Sequence, residues 1–104
     1  MRYRLLLLAT LLATPAIAEE ALLAARHLEA RGDPEGAIAV LESRLIAAPG
    51  DASAQLRLGQ IYESIHSEQA ARIYYVSVAG NNSAPRSLQR IALDRLRVID
   101  RSTR

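Results

Sequence analysis

The stretch Leu58-Gly59-Gln60-Ile61-Tyr62 decides the fold, because the residues around it recur at a fixed interval of 34 positions. A small residue recurs 34 positions after a small residue, and a large residue recurs 34 positions after a large one. The matched pairs are Ala37 and Ala71, Leu41 and Tyr75, Ala25 and Gly59, and Leu28 and Tyr62. A period of this length predicts two copies of one structural unit that stack against each other.

The pattern resembles that of the tetratricopeptide repeat family. In that family a large apolar residue, a small residue and a tyrosine follow one another along a first helix, an alanine and an aromatic residue lie along a second, and a proline closes the unit. These roles fall on Leu58, Gly59, Tyr62, Ala71 and Tyr75, with Pro49 closing the preceding unit. The resemblance implies an all-α fold in which antiparallel helix pairs stack as a short solenoid, and it implies a protein-binding architecture.

Helix-stop signals divide the chain after residue 18 into five predicted helices. Gly32-Asp33-Pro34 and Pro49-Gly50-Asp51 each break a helical pattern and supply an N-cap aspartate for the next helix. The predicted helices cover residues 20–31, 34–47, 52–65, 67–79 and 84–100. They form a first repeat over about 19–50, a second over about 51–83 and a capping helix over about 84–100. The small residues Ala25, Ala37, Gly59 and Ala71 mark the expected helix crossings.

The first repeat departs more from the family pattern than the second. Ala24 stands where the large leucine normally lies, and Leu28 stands where the second repeat has Tyr62. Two repeats are also fewer than the three or so that usually form a stable stack. The capping helix is therefore expected to close it through a broad apolar arc of Leu88, Ile91, Ala92, Leu96, Val98 and Ile99.

Residues 1–18 are predicted to be a signal peptide. Arg2 and Arg4 form the charged region, Leu5–Leu12 the apolar region, and Ala16-Ile17-Ala18 the cleavage site, so Glu19 becomes the first mature residue. The alternative is a retained membrane anchor, although a spanning helix needs about 20 apolar residues. Cleavage of the signal peptide predicts a periplasmic or otherwise exported protein. The chain has no cysteine, so disulfides do not stabilise it.

Catalytic, metal and cofactor motifs are missing from the sequence. His27 and His66 are the only histidines, and neither has the spacing to a second ligand that a metal site requires. No serine stands in a nucleophile elbow and no glycine-rich phosphate loop is present. We therefore expect a non-enzymatic protein without a cofactor, in which the tyrosines pack in the core.

The resemblance places a partner in a groove lined by first-helix side chains. Alignment on Gly59 carries these positions to Leu22, Arg26 and Glu29, to Leu56, Gln60 and Glu63, and on the last helix to Arg90, Asp94 and Arg97. The polar members, which are the predicted partner-binding residues, are Arg26, Glu29, Gln60, Glu63, Arg90, Asp94 and Arg97. The three on the last helix also share its polar side with Arg101, so a solvated face is the alternative. The predicted partner is a protein or peptide with an acidic or C-terminal carboxylate feature.

The charge distribution leaves two other functions open. Residues 19–68 contain nine acidic residues and four arginines, whereas residues 69–104 contain seven arginines and two acidic residues. The expected function is that of an adaptor or assembly factor in a bacterial envelope. The charge separation favours two alternatives, which are head-to-tail self-assembly and a membrane-surface role for the basic last helix. Nucleic-acid binding is not expected, because no aromatic residues accompany the arginines of the last helix.

Overall fold

A computed structural model describes residues 17–102, so the first 16 residues of the predicted signal peptide lie outside the described part of the chain. The described residues form helices and no strand, which confirms the all-α prediction. The helices are α1 (residues 17–30), α2 (Pro34–Ala47), α3 (Ala52–Ser64), α4 (Glu68–Ala79) and α5 (Arg86–Ser102).

The predicted aspartate caps are confirmed. An Oδ1 atom of Asp33 accepts a hydrogen bond of 2.9 Å from the Gly36 amide, and Oδ1 of Asp51 accepts one of 3.2 Å from the Ala54 amide. Each carboxylate therefore satisfies an amide that has no partner inside its own helix.

The last helix begins two residues later than predicted, at Arg86 rather than Ala84. The cause is Pro85, because the ring of a proline disfavours helical geometry in the residue before it. Ala84 instead lies buried, and its amide donates to the Asn81 carbonyl at 3.0 Å. At the other end α5 continues to Ser102, beyond the predicted end at residue 100.

The turns that follow α1 and α3 have the same backbone geometry. Gly32 and His66, which are 34 residues apart, have φ angles of +77° and +63°. The next amides, of Asp33 and Ser67, each donate at 2.8 Å to a carbonyl five residues earlier. This is the hydrogen-bonding pattern of a Schellman motif, in which a left-handed residue ends the helix. The repeat therefore extends to the turns.

The core consists of two clusters that meet at Tyr62. One cluster lies among α1, α2 and α3 and the other among α3, α4 and α5, and Tyr62 packs against both. The fully buried residues Ala25, Ala37 and Ala71 confirm three of the predicted crossings. The first cluster contains Ala25, Ala37, Ile38, Leu41, Ala54, Leu58 and Ile61, and the second contains Leu56, Ala71, Tyr75, Val78, Ala92 and Ile99.

At Gly59 a side chain of α4 packs directly on the backbone of α3. A Cβ atom added to Gly59 would stand 2.7 Å from Cε1 of Tyr75, whose side chain is fully buried. The glycine is therefore required because the tyrosine ring lies on the α3 backbone, as the sequence predicts.

The buried arc of α5 is narrower than predicted. Ala92 and Ile99 are buried, and Leu88 and Leu96 pack against them. Ile91 and Val98 were also expected in the arc but remain about 40% exposed. The reason is that α5, the last described helix, has neighbours on only one side.

Candidate protein-binding groove

Three adjoining cavities form a groove along the side chains of α1, α3 and α5. The first, of about 270 Å³, lies on α1, and the second, of about 180 Å³, lies between the three helices. They share Leu22 and Arg26. The third cavity, of about 350 Å³, shares Gln60 with the second. The linings are Glu19, Leu22, Leu23 and Arg26; then Leu22, Arg26, Ser53, Leu56, Arg57, Gln60 and Leu88; then Gln60, Glu63, Ser64, Tyr75 and Arg95.

Arg57 joins α1 to α3 on the groove side. Its Nε and Nη2 atoms donate to the two carboxylate oxygens of Glu29, at 2.9 and 2.6 Å. Its Nη1 atom donates to Oε1 of Gln60 at 3.2 Å. This two-point pairing has the fixed geometry that arginine and a carboxylate favour. It neutralises Glu29 and orients Gln60.

Glu63 joins α3 to both α4 and α5. Its Oε1 atom accepts a hydrogen bond of 2.8 Å from the Tyr75 hydroxyl and one of 3.1 Å from Nε of Arg95, while Nη2 of Arg95 donates to Oε2. The hydrogen bond from Arg95 is the main cause that lowers the pKa of Glu63. Burial, together with the hydrogen bond to Glu63, raises the pKa of Tyr75.

A second pair of tyrosines links α2 to α3 and α4. The rings of Tyr62 and Tyr74 stack with their centroids 5.7 Å apart. The Tyr62 hydroxyl donates to Oε1 of Glu42 at 2.9 Å, and that of Tyr74 donates to the same oxygen at 3.5 Å. Burial followed by the Glu42 hydrogen bond raises the pKa of Tyr62 to about 12. The pair therefore supports the packing between repeats, as expected for the tyrosines.

Arg26 is the cation of the groove that has no recorded partner among the described residues. Its exposed side chain lines two of the three cavities, next to Leu22. Arg57 and Arg95, by contrast, are neutralised by Glu29 and Glu63. Arg26 therefore presents a positive charge beside an apolar floor of Leu22, Leu56 and Leu88, and Glu19 lines the first cavity with it.

The structure brings together the predicted residues of the first two units. Arg26 and Gln60 line the same cavity, and Glu29 reaches Gln60 through Arg57. Leu56 and Glu63 lie toward α5: Leu56 is 7% exposed within the second cluster, and Glu63 binds Arg95. These two positions therefore face the next helix rather than open solvent.

The predicted residues of α5 lie apart from the three cavities. Arg90, Asp94 and Arg97 are exposed, and Nη1 of Arg97 donates to Oδ1 of Asp94 at 3.3 Å. Arg90 and Arg97 stand 34 residues after Leu56 and Glu63, and thus on the side where a further first helix would pack. Within the part of the chain that the structure describes, no such helix follows.

Arg57, Leu88 and Arg95 are among the groove residues that the sequence does not predict. Leu88 had been assigned only to packing. Arg95 falls within the buried stripe of α5, since Leu88 and Ala92 precede it and Ile99 follows it at helical spacing. An arginine inside an apolar stripe needs an acidic partner on the neighbouring helix. That signal identifies Arg95 as the residue that contacts Glu63.

The stacked helix pairs define a helical-repeat fold. Residues 18–61 match the family model described as tetratricopeptide repeat, which covers the first repeat and most of α3. This match supports assignment of the chain to the tetratricopeptide repeat family. Comparisons with curated proteins and with solved structures find no match. Repeats of this family generally mediate protein–protein interaction and are typically not enzymes.

Two searches of the described residues concern metals and membranes. Residues 17–102 contain no group of three or more histidine, cysteine, aspartate or glutamate side chains that would hold a metal ion. None of the helices in this range has the length and apolar character needed to cross a bilayer.

Proposed function

We propose that the groove binds an extended or helical segment of a partner protein, and that the chain acts as an adaptor or assembly factor in a bacterial envelope. Arg26 carries the proposal, because it is an unpaired cation beside an apolar cleft. A segment with an apolar side chain against Leu22, Leu56 and Leu88 would place an acidic group or a C-terminal carboxylate on Arg26. Gln60 supplies a polar contact where the second and third cavities meet.

Export is part of this proposal. Its support is the sequence of residues 1–18, whose cleavage after Ala18 removes the first two described residues of α1. Glu19, which lines the first cavity, would then carry the new amino terminus. We expect the envelope form of the protein to have the mass of a chain that begins at Glu19, and the full-length mass would contradict cleavage.

Site-specific crosslinking tests the groove. A photoreactive amino acid at Gln60 should form an adduct with the partner in an envelope extract. The same group at Ser43, an exposed position on α2 outside the three cavity linings, should not. Arg26→Ala removes the free cation and should reduce the yield about tenfold or more, because a hydrogen bond to a charged group contributes roughly 1.5–3 kcal/mol.

The double variant Arg90→Ala/Arg97→Ala is the matched comparison. It removes two exposed arginines from α5, outside the cavities, and should leave the yield unchanged. Loss of the adduct in this variant but not in Arg26→Ala would move the acid-binding role to α5, where the sequence reasoning first placed it. An unchanged yield in Arg26→Ala contradicts the proposed role of Arg26.

A further inference from the structure

Gly59 and Leu93 hold the same position in the 34-residue register but have different surroundings. The residues before them, Leu58 and Ala92, are both fully buried, so the register continues into α5. Gly59 is covered by Tyr75 of α4. Leu93 is 45% exposed, because no helix in the described range follows α5 to cover it.

The docking of α4 shows what this position accepts. The side chain of Tyr75 lies on Gly59, while Tyr74 stacks on Tyr62 and contacts Glu42 of α2. The residues 34 positions after Glu42, Gly59 and Tyr62 are Val76, Leu93 and Leu96. The surface that holds α4 thus recurs on α4 and α5. We call Val76, Leu93, Leu96 and Arg97 the open edge.

The open edge exposes apolar side chains beside Arg97, and a cavity lies elsewhere between the same two helices. Val76 is 53% exposed and Ile73, one turn earlier on α4, is 66% exposed. A cavity of about 350 Å³ lies between the start of α4 and the end of α5, lined by Glu68, Gln69, Arg72 and Ile99. These exposed side chains suit an amphipathic helix that packs on α5 and reaches α4, as α4 packs on α3 and reaches Glu42 of α2 through Tyr74.

Charge defines the chemistry of that helix. Glu29 and Glu63, 34 residues apart, each bind an arginine of the next first helix. At the following equivalent position the sign is reversed, because Arg97 stands there; it also donates to Asp94 of the same helix at 3.3 Å. The whole of α5 contains five arginines and two aspartates. A second copy that docked through the same edge would bring two basic α5 helices together, which costs free energy, whereas an acidic helix complements them.

We propose that the open edge binds an amphipathic helix of a partner protein, separately from the groove. Its apolar stripe packs on Val76 and Leu93, and carboxylates along one flank pair with Arg97 and its basic neighbours on α5. Since Leu93 replaces Gly59 at the crossing, the residue opposite it is small, where α4 has the bulky Tyr75. The partner helix therefore differs from α4 in having a small residue at the position of Tyr75 and in its acidic flank.

Two synthetic peptides of the length of α4 test this site. The acidic peptide has an apolar stripe, alanine at the position that corresponds to Tyr75, and glutamates along one flank; the basic peptide has lysines in place of those glutamates. Fluorescence anisotropy should show binding of the acidic peptide to the wild-type chain. Val76→Ser/Leu93→Ser should weaken it by roughly tenfold to a hundredfold, because the peptide then buries less apolar surface. Arg97→Glu should weaken only the acidic peptide.

Both serine substitutions lie at exposed positions, and an unchanged thermal melting curve verifies that the fold is retained. Arg26→Ala is the matched control and should leave peptide binding unchanged, so that a failure at the edge is distinguished from a failure in the groove. Failure of the acidic peptide to bind, equal binding to the double serine variant, or equal binding of the basic peptide overturns the proposal. A wild-type dimer that the double serine variant converts to a monomer also overturns it, and assigns the edge to a second copy.

Discussion

The two repeats place different residues at the same positions. Where the first repeat has Ala25, Leu28 and Leu41, the second has Gly59, Tyr62 and Tyr75. Leu41 and Tyr75 are both fully buried, so the backbone frame is shared. The tyrosines differ from the leucines by carrying hydroxyl groups to Glu42 and Glu63, and thus to the neighbouring helices.

Position in the stack explains the difference. The second repeat lies between the first repeat and α5, and it needs contacts on both sides. Tyr62 packs on both core clusters, and Glu63 connects Tyr75 to Arg95. The first repeat has a neighbour among the described helices on one side only, so apolar contacts suffice at the same positions. The residues that match the family pattern are therefore those that contact neighbours on both sides of the second repeat.

The largest loss in the free energy of unfolding is expected when the buried side chain of Tyr75 or of Leu41 is truncated. Tyr75→Ala removes a buried ring and the hydrogen bond to Glu63, and should lower the free energy of unfolding by about 3–5 kcal/mol. Leu41→Ala should cost less, about 2–4 kcal/mol, because it removes only apolar contacts. Urea denaturation followed by circular dichroism measures both. A greater loss for Leu41→Ala would show that the first repeat is the main source of stability.

An exchange at the helix crossing should give a smaller effect. Gly59→Ala gains about 1 kcal/mol of helix propensity, but its Cβ meets the Tyr75 ring, and overpacking of this kind costs about 1–3 kcal/mol. We expect a net loss of about 1 kcal/mol. The converse change in the first repeat, Ala25→Gly, should lose about 2 kcal/mol, through lower helix propensity and the loss of a buried methyl group. If Gly59→Ala stabilises the protein against urea, the ring moves without cost and the close crossing is not required.

The smallest effect is expected at the turns. His66 has the left-handed geometry that glycine adopts at Gly32, and a side chain there costs about 1 kcal/mol. His66→Gly should therefore raise the free energy of unfolding by up to about 1 kcal/mol, and Gly32→His should lower it by a similar amount. Thermal unfolding of both variants measures the pair. An equal response of the two turns to the same residue would confirm their equivalence, whereas a loss with His66→Gly would indicate an unrecognised contact of the imidazole.

Local chemistry explains how much of the fold the sequence predicts. Asp33 and Asp51 act on amides three residues away, so their caps follow from sequence alone. Gly59 was interpretable because its partner Tyr75 lies in the same motif. The start of α5 was wrong by two residues because the effect of Pro85 on the preceding residue was not weighed. The number of apolar α5 residues that are buried depends on which helices pack against α5. The periodicity of α5 alone does not give that information.

The structure brings two of the predicted groove residues into one cavity and leaves those of the last helix outside the cavities. Arg26 and Gln60 lie in one cavity because α1 and α3 are related by the repeat. The same count on α5 reaches Arg90 and Arg97, whose side is open. Arg95 required a different argument, since its role follows from the carboxylate of Glu63 on another helix. The sequence thus predicts repeat-related positions, while contacts that close the stack depend on tertiary geometry.

The spacing of the side-chain contacts has a consequence for folding kinetics. Among the described residues, Arg95 and Glu63 are 32 positions apart, as are Tyr74 and Glu42, and the other hydrogen bonds join residues closer in sequence. Loops of this size cost little entropy to close, and proteins dominated by such local contacts fold quickly. Each helix pair therefore forms its contacts with the next helix soon after it is synthesised. Folding does not require contacts between the two ends of the chain.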